Sequence, residues 1–158
     1  MPVESQFVAA SFPKTLSDYN ASVGAIALNL SSQFAVPYWR MQTLSTDEAI
    51  LPARDGNFDD GGQYRQLHYH TWTPDHPNVL TIWQWAYGGI TTCNRLLNLT
   101  NTFNFTAAEK EARLAEIRAM RALYYFFLLD LYGNVPIVTD YPTAPLPATS
   151  PRQGLRVH

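Results

Sequence analysis

Apolar residues recur along this chain in three stretches at helical spacing, and between the first and second of them the periodicity is lost for more than thirty residues. Val23, Ile26, Ala27 and Leu30 step by three or four behind Ser17 or Asp18 as a cap, which predicts a first helix over about 15–30. A short helical or extended piece follows over 34–44. Val79, Trp83, Ala86, Ile90, Cys93 and Leu97 predict a long helix with one apolar stripe, capped by Asn78. Gly88 and Gly89 lie inside it, and each lowers helix propensity by about 1 kcal/mol relative to alanine, so a second backbone is expected to approach there.

The last helix announces both of its ends. "TAAE" at 106–109 is a capping box, with Thr106 and Glu109 exchanging bonds across the first turn, and Gly133 followed by Pro136 marks the stop after Tyr132. Its first half is amphipathic, with Leu114 and Ile117 facing inward and Glu109, Lys110, Glu111 and Arg113 facing water. From Ala119 onward it is apolar on nearly every side, which predicts burial between several partners. The charged residues beside that half, Glu116, Arg118 and Arg121, are expected to form structural ion pairs. Its apolar run breaks at Asp130, short of the ~18 uninterrupted residues that a bilayer span needs. A proline-rich passage follows, and "SPRQ" at 150–153 has the serine and proline order of another helix start. The chain ends five residues later, so these helices are expected to be the front part of a longer helical protein.

The chain has 158 residues, 46% of them hydrophobic and 13% aromatic, enough for one domain with a substantial core. A net charge of −2 with no basic stripe offers nothing to nucleic-acid phosphate. The single cysteine, Cys93, excludes an internal disulfide and a cysteine zinc cluster, and its helical setting suggests a buried apolar role. The N-terminus lacks the charged start, continuous apolar region and cleavage site of a secretory signal.

The aperiodic segment over 45–78 holds the candidate chemistry. Punctuated by Pro52, Pro74, Pro77, Gly56, Gly61 and Gly62, it also carries Phe58, Tyr64, Tyr69 and Trp72, too many aromatics for a disordered linker. Asp47 and Glu48 at its start are expected to belong to a helix start after Ser45 and Thr46. Sugar binding needs flat apolar faces for pyranose C–H groups beside polar forks for hydroxyls, and Arg54, Asn57, Phe58, Asp60, Tyr64 and Trp72 supply both. Asp55, Asn57 and Asp59 alternate as in a calcium loop. However, Asp60 stands where that loop needs glycine and Gln66 where it needs glutamate, so a tight turn is the better reading. His68 and His70 share a face if the segment is extended, with His76 nearby. Together with Asp59 they would make a metal-dependent hydrolase conceivable, but no third ligand with a general base is placed, and loop histidines are expected instead. No metal, cofactor or catalytic residue is assigned.

Four stretches occur in the order found in SusD/RagB-like outer-membrane glycan-binding lipoproteins of Bacteroidetes: "STDEA" at 45–49, "DGNFDDGGQYRQLHYHTWTP" at 55–74, "WQWAYGGITTCNRLL" at 83–97 and "EIRAMRALYYFFLLDLYGNVPIV" at 116–138. "TSPRQ" also resembles the start of that family's next helix, whereas "GLRVH" does not continue its pattern. Family members are about three times longer and begin with a lipidated cysteine. The resemblance therefore implies the N-terminal part, over 1–158, of a single all-α domain of tetratricopeptide-like helix pairs with long irregular loops, its C-terminal remainder absent. It further implies non-enzymatic capture of oligosaccharide at the outer-membrane surface, for uptake through a SusC-like TonB-dependent transporter. A tetratricopeptide-like scaffold for peptide or protein is the alternative.

Overall fold

A computed structural model describes residues 15–52 and 60–141 of the chain. Among them the architecture is all-α, with helices α1 (Leu16–Gln33), α2 (Trp39–Thr43), α3 (Gln63–His68), α4 (Pro77–Thr100) and α5 (Ala107–Tyr132). None of these is long and apolar enough to cross a membrane. The antiparallel pair of α4 and α5 forms the frame, and α1 packs across α4.

Helix α1 starts where its spacing predicted, but its cap is neither Ser17 nor Asp18. Thr15 is the cap, its hydroxyl accepting from the Asp18 amide at 3.2 Å, while Asp18 sits three positions into the helix and accepts from the Thr15 amide at 3.0 Å. This is a complete capping box, which binds two amides that the helix itself leaves unpaired. The separate piece expected over 34–44 instead continues α1 through a π-helical turn, Phe34–Tyr38, into α2. Pro37 lies inside that turn. A proline lacks the N–H for an α-helical bond and crowds the preceding turn, and a locally widened helix tolerates it without ending.

Helix α4 also begins differently. His76 rather than Asn78 caps it, with Nδ1 accepting from the Asn78 amide at 3.2 Å and Pro77 occupying the first helical position. The ring is buried, and because Nδ1 accepts, the proton is on Nε2, which donates to the Gln63 carbonyl at 3.0 Å. The buried face of α4 is broader than the expected stripe. Ile82, Trp85, Ala86, Gly89, Ile90, Cys93, Asn94 and Leu96 are all buried, while Val79, Trp83 and Leu97 lie at its margins. Two neighbours account for that width: α1 covers one flank and α5 the other. Cys93 is buried as expected, and burial pushes its thiol up to about 11, leaving it an unreactive apolar group.

The glycine pair divides into one working residue and one spectator. The Tyr124 ring of α5 occupies the space where a Gly89 side chain would be, whereas a methyl at exposed Gly88 meets nothing. The close approach is thus made by a side chain rather than by the expected second backbone. From this seat the fully buried Tyr124 hydroxyl reaches α1, 2.6 Å from Asn29 Oδ1 and 3.2 Å from the Ile26 carbonyl. Trp85 of α4 donates to the Asn29 carbonyl at 2.6 Å. Tyr19 of α1 shares a 2.7 Å bond with Thr100 at the far end of α4, beneath Phe103 and Phe105. Arg113, expected in water, lays its guanidinium over Phe105 and donates to Asn20.

Helix α5 has the predicted capping box. Thr106 accepts from the Glu109 amide at 3.3 Å, while the Glu109 carboxylate accepts from the Thr106 hydroxyl at 2.7 Å and from the Thr106 amide at 3.0 Å, and these last two bonds hold it below its usual range. Its far end is Gly133, at a φ of 68° that favours glycine. Leu114 and Ile117 are buried as expected. The second half is not enclosed on every side: Tyr124, Phe127 and Leu128 are buried, but Leu123, Phe126 and Leu129 are exposed. The chain after Gly133 returns along the helix pair in extended form. Tyr87 donates to the Pro136 carbonyl at 2.7 Å, and Tyr125 brackets Val138, accepting from its amide and donating to its carbonyl. Asn94 and Arg121 hold the same strip, through the carbonyls of Val138 and Thr139. Arg121 also donates to Asn94 Oδ1 at 2.6 Å, so among the described residues its partners are neutral oxygens where an ion pair was expected.

The two glycines should respond oppositely to the same substitution. Gly89→Ala drives a methyl into the Tyr124 ring and is expected to destabilise the protein by at least about 1–3 kcal/mol in urea unfolding. Gly88→Ala is expected to be neutral or to stabilise by up to about 1 kcal/mol. Equal effects would show that Tyr124 is not seated on Gly89.

Candidate functional site

The described residues of the aperiodic segment help to line two clefts. Its first turns, Thr46 to Glu48, end α2 instead of starting a helix: Ser45 bonds back to the Met41 carbonyl, and the Thr46 hydroxyl accepts from the Glu48 amide. Arg54, Asn57 and Phe58 lie outside the described residues, as do Asp55 and Asp59. The chain is described again from Asp60, at a turn where Gly61 and Gly62 both take positive φ, 66° and 81°. Asp60 closes this turn, Oδ1 accepting from the Gly62 amide at 2.9 Å and Oδ2 from the Tyr64 amide at 2.7 Å. Its carboxylate thereby anchors the first turn of α3.

"HYH" is the stop of α3. The His70 amide donates to the Leu67 carbonyl at 3.2 Å and the Thr71 amide to the Gln66 carbonyl at 2.9 Å, while His70 itself has a φ of 55°. This bond pair with a left-handed residue is the Schellman arrangement usually served by glycine. The His70 ring is held by a 2.6 Å bond from Nε2 to the Ser45 carbonyl, which links the two ends of the segment. The extended strand that would place His68 and His70 on one face therefore does not form. Among the described residues no three of His, Cys, Asp and Glu come together to hold a metal ion.

Of the three described saccharide candidates, each occupies a different environment. Tyr64 is only 4% exposed, with the Arg40 guanidinium 4.6 Å above its ring, so its faces are taken up by the core. Asp60 lines a cleft of about 340 Å³ with Ile50, Pro52, Arg65 and Tyr69, although its carboxylate is engaged by the turn. Trp72 forms a wall of a larger cleft, about 520 Å³, between the end of α2, the passage from Trp72 to Pro74, and the end of α5. The indole is 38% exposed and braced edge-on by His70, with ring centres 5.4 Å apart.

Opposite this aromatic wall lies a polar group that sequence reasoning missed. Asp130 and Gln42 line the same cleft. Asp130 Oδ2 accepts from the Tyr38 hydroxyl at 3.0 Å and from Gln42 Nε2, and Gln42 also reaches the Tyr38 oxygen at 3.2 Å. Burial raises the Tyr38 phenol above its usual range, and the bond and charge of Asp130 raise it further, so the hydroxyl remains a donor. Both described bonds use one carboxylate oxygen, leaving Oδ1 for another donor. The signal was present in the sequence, since a lone acid inside an apolar helix half needs a partner. Its partners are about ninety residues away, however, beyond the reach of any local pattern. The cleft thus combines a partly exposed indole with a hydrogen-bonded carboxylate and amide, groups of the kind that stack a sugar ring and bind its hydroxyls.

Comparison with known proteins gives two findings. The SusD-like family model described as "Starch-binding associating with outer membrane" matches residues 8–153. SusD-like protein P2 of Formosa agariphila is 26% identical over 129 residues, which is 81% of this chain and 25% of that protein. The chain thus spans about a quarter of the length of this curated relative. No solved structure matches it.

The Asp60 turn makes its own prediction. Asp60→Ala leaves the Gly62 and Tyr64 amides without their acceptor and is expected to cost about 1–2 kcal/mol in thermal or urea unfolding. Asp60→Asn, which retains one carbonyl acceptor, should cost less. An unchanged stability for Asp60→Ala would mean that the carboxylate does not anchor α3.

Proposed function

This chain belongs to the SusD-like family, and on that premise we propose that it serves in the non-enzymatic capture of oligosaccharide at the outer-membrane surface, for uptake through a SusC-like TonB-dependent transporter. The observation that carries this reading is the Trp72 cleft. An exposed indole offers the flat, electron-rich face on which pyranose C–H groups pack, and Asp130 with Gln42 offers an acceptor and a donor at the opposite wall. A cleft of about 520 Å³ suits one or two sugar rings. Asp130 is already fixed by Tyr38 and Gln42, so little side-chain ordering is required when a hydroxyl binds.

Of the residues proposed from sequence, Trp72 is assigned the stacking role. Asp60 is assigned to shaping the neighbouring cleft, where exposed Arg65 and Tyr69 are added as contacts. Arg54, Asn57 and Phe58 retain their proposed ligand contacts from the adjoining segment. Such a site holds a saccharide and releases it unchanged, since the proposed contacts include no paired acid and base about a glycosidic bond.

Isothermal titration of the chain with starch-derived maltooligosaccharides, and with a wider oligosaccharide panel, tests the reading. Binding of at least one oligosaccharide is expected. Trp72→Ala should weaken it about tenfold or more while leaving the circular dichroism spectrum unchanged, and Trp72→Phe should recover part of the loss. Undiminished binding by Trp72→Ala, or no binding across the panel, would contradict the proposal.

A further inference from the structure

A second cleft lies on the α4–α5 pair well away from Trp72. It measures about 470 Å³ and is lined by Asn98 of α4 and Asn101 at its C-terminal cap, Arg118 and Arg121 of α5, and Asp140 and Tyr141 of the returning strip. The two helices build it by register. Asn94, Asn98 and the capping Asn101 step by four and three along and just past α4, and Leu114, Arg118 and Arg121 step by four and three along α5, so antiparallel packing brings both rows to one groove. Arg118 and Asp130 are twelve residues apart on α5, which separates this cleft from the first by about 18 Å along the helix.

We propose that this cleft is an oxyanion site, taking a carboxylate- or sulfate-bearing sugar with Arg118 as its principal ligand. Arg121 is already committed to structure through Asn94 and the Thr139 carbonyl, and it contributes a fixed positive charge at the base of the groove. Arg118 is different: it is exposed, it shares the groove, and no carboxylate or carbonyl among the described residues holds it. A guanidinium presents parallel N–H donors that match the two oxygens of a carboxylate or sulfate, and a second cation on the same face reinforces that preference. The Asn98 side-chain amide adds a donor and an acceptor without charge. Tyr141, 37% exposed, offers a ring face for the sugar, and Asp140 offers an acceptor for its hydroxyls while opposing a second negative charge. Two guanidiniums against one carboxylate leave the lining net positive.

This goes beyond the oligosaccharide reading of the Trp72 cleft and does not depend on it. Chemical-shift titration of the full chain with sodium glucuronate, glucose and sodium sulfate separates the contributions of charge and sugar ring. Glucuronate is expected to bind at the α4–α5 cleft and glucose at least about tenfold more weakly there, with sulfate binding if the anion alone suffices. Arg118→Gln should weaken glucuronate about tenfold, Arg118→Lys by less, and Trp72→Ala not at all. Equal affinity for glucose and glucuronate, undiminished binding by Arg118→Gln, or no binding of glucuronate would overturn the proposal. Loss of maltooligosaccharide binding in Trp72→Ala with glucuronate retained would leave it standing.

Discussion

The seat of Tyr124 on Gly89 is the contact on which the remaining packing depends. Only a residue without a side chain lets the phenol ring of α5 lie directly on the backbone of α4. Once there, the ring spans the helix pair and delivers its hydroxyl to Asn29 and Ile26 of α1, joining three helices through one buried side chain. Burial raises this phenol well above its usual range and keeps it a donor. Trp85 reinforces the junction from α4, packing against Tyr124 and donating to the Asn29 carbonyl.

The consequences run outward along α5. With its middle fixed by Tyr124, its last turns present Asp130 and Tyr132 at one end of the bundle, where Tyr132 donates to the Val79 carbonyl and closes on the start of α4. The π-helical turn around Pro37 brings Tyr38 and Gln42 to Asp130, and packs the tilted rings of Phe34 and Tyr38 against Phe127. The Trp72 passage then closes the cleft from the third side, tied by His70 to Ser45. Each wall of the candidate site therefore belongs to an element tied to its neighbour by a side-chain hydrogen bond, and α5, which carries Asp130, is anchored to the core through Tyr124.

Local chemistry was legible from sequence and long-range chemistry was not. The Thr106 and Glu109 box, the Gly133 stop and the inward Leu114 and Ile117 all lie within one or two turns of their partners, so spacing alone reveals them. The individual helices followed from the same periodicities, whereas the all-α class with its helix pairs followed from the family resemblance. Features made by residues far apart in sequence escaped. Gly89 read as a backbone crossing because a tyrosine thirty-five positions away gives no local sign of its seat. Asn78 read as the cap of α4 because His76 becomes one only when Gln63 fixes its ring. "HYH" read as extended because a histidine in the left-handed region is uncommon, and here it stands in for glycine. Trp72 was selected by residue type, whereas Asp130 needed the fold.

A crystal structure of the chain with a bound oligosaccharide would test the central claim most directly, because the account depends on where the ring lies. The account predicts a pyranose packed on the Trp72 indole with a hydroxyl within hydrogen-bonding distance of Asp130. An oligosaccharide ordered elsewhere on the molecule, with no contact to Trp72, would contradict it.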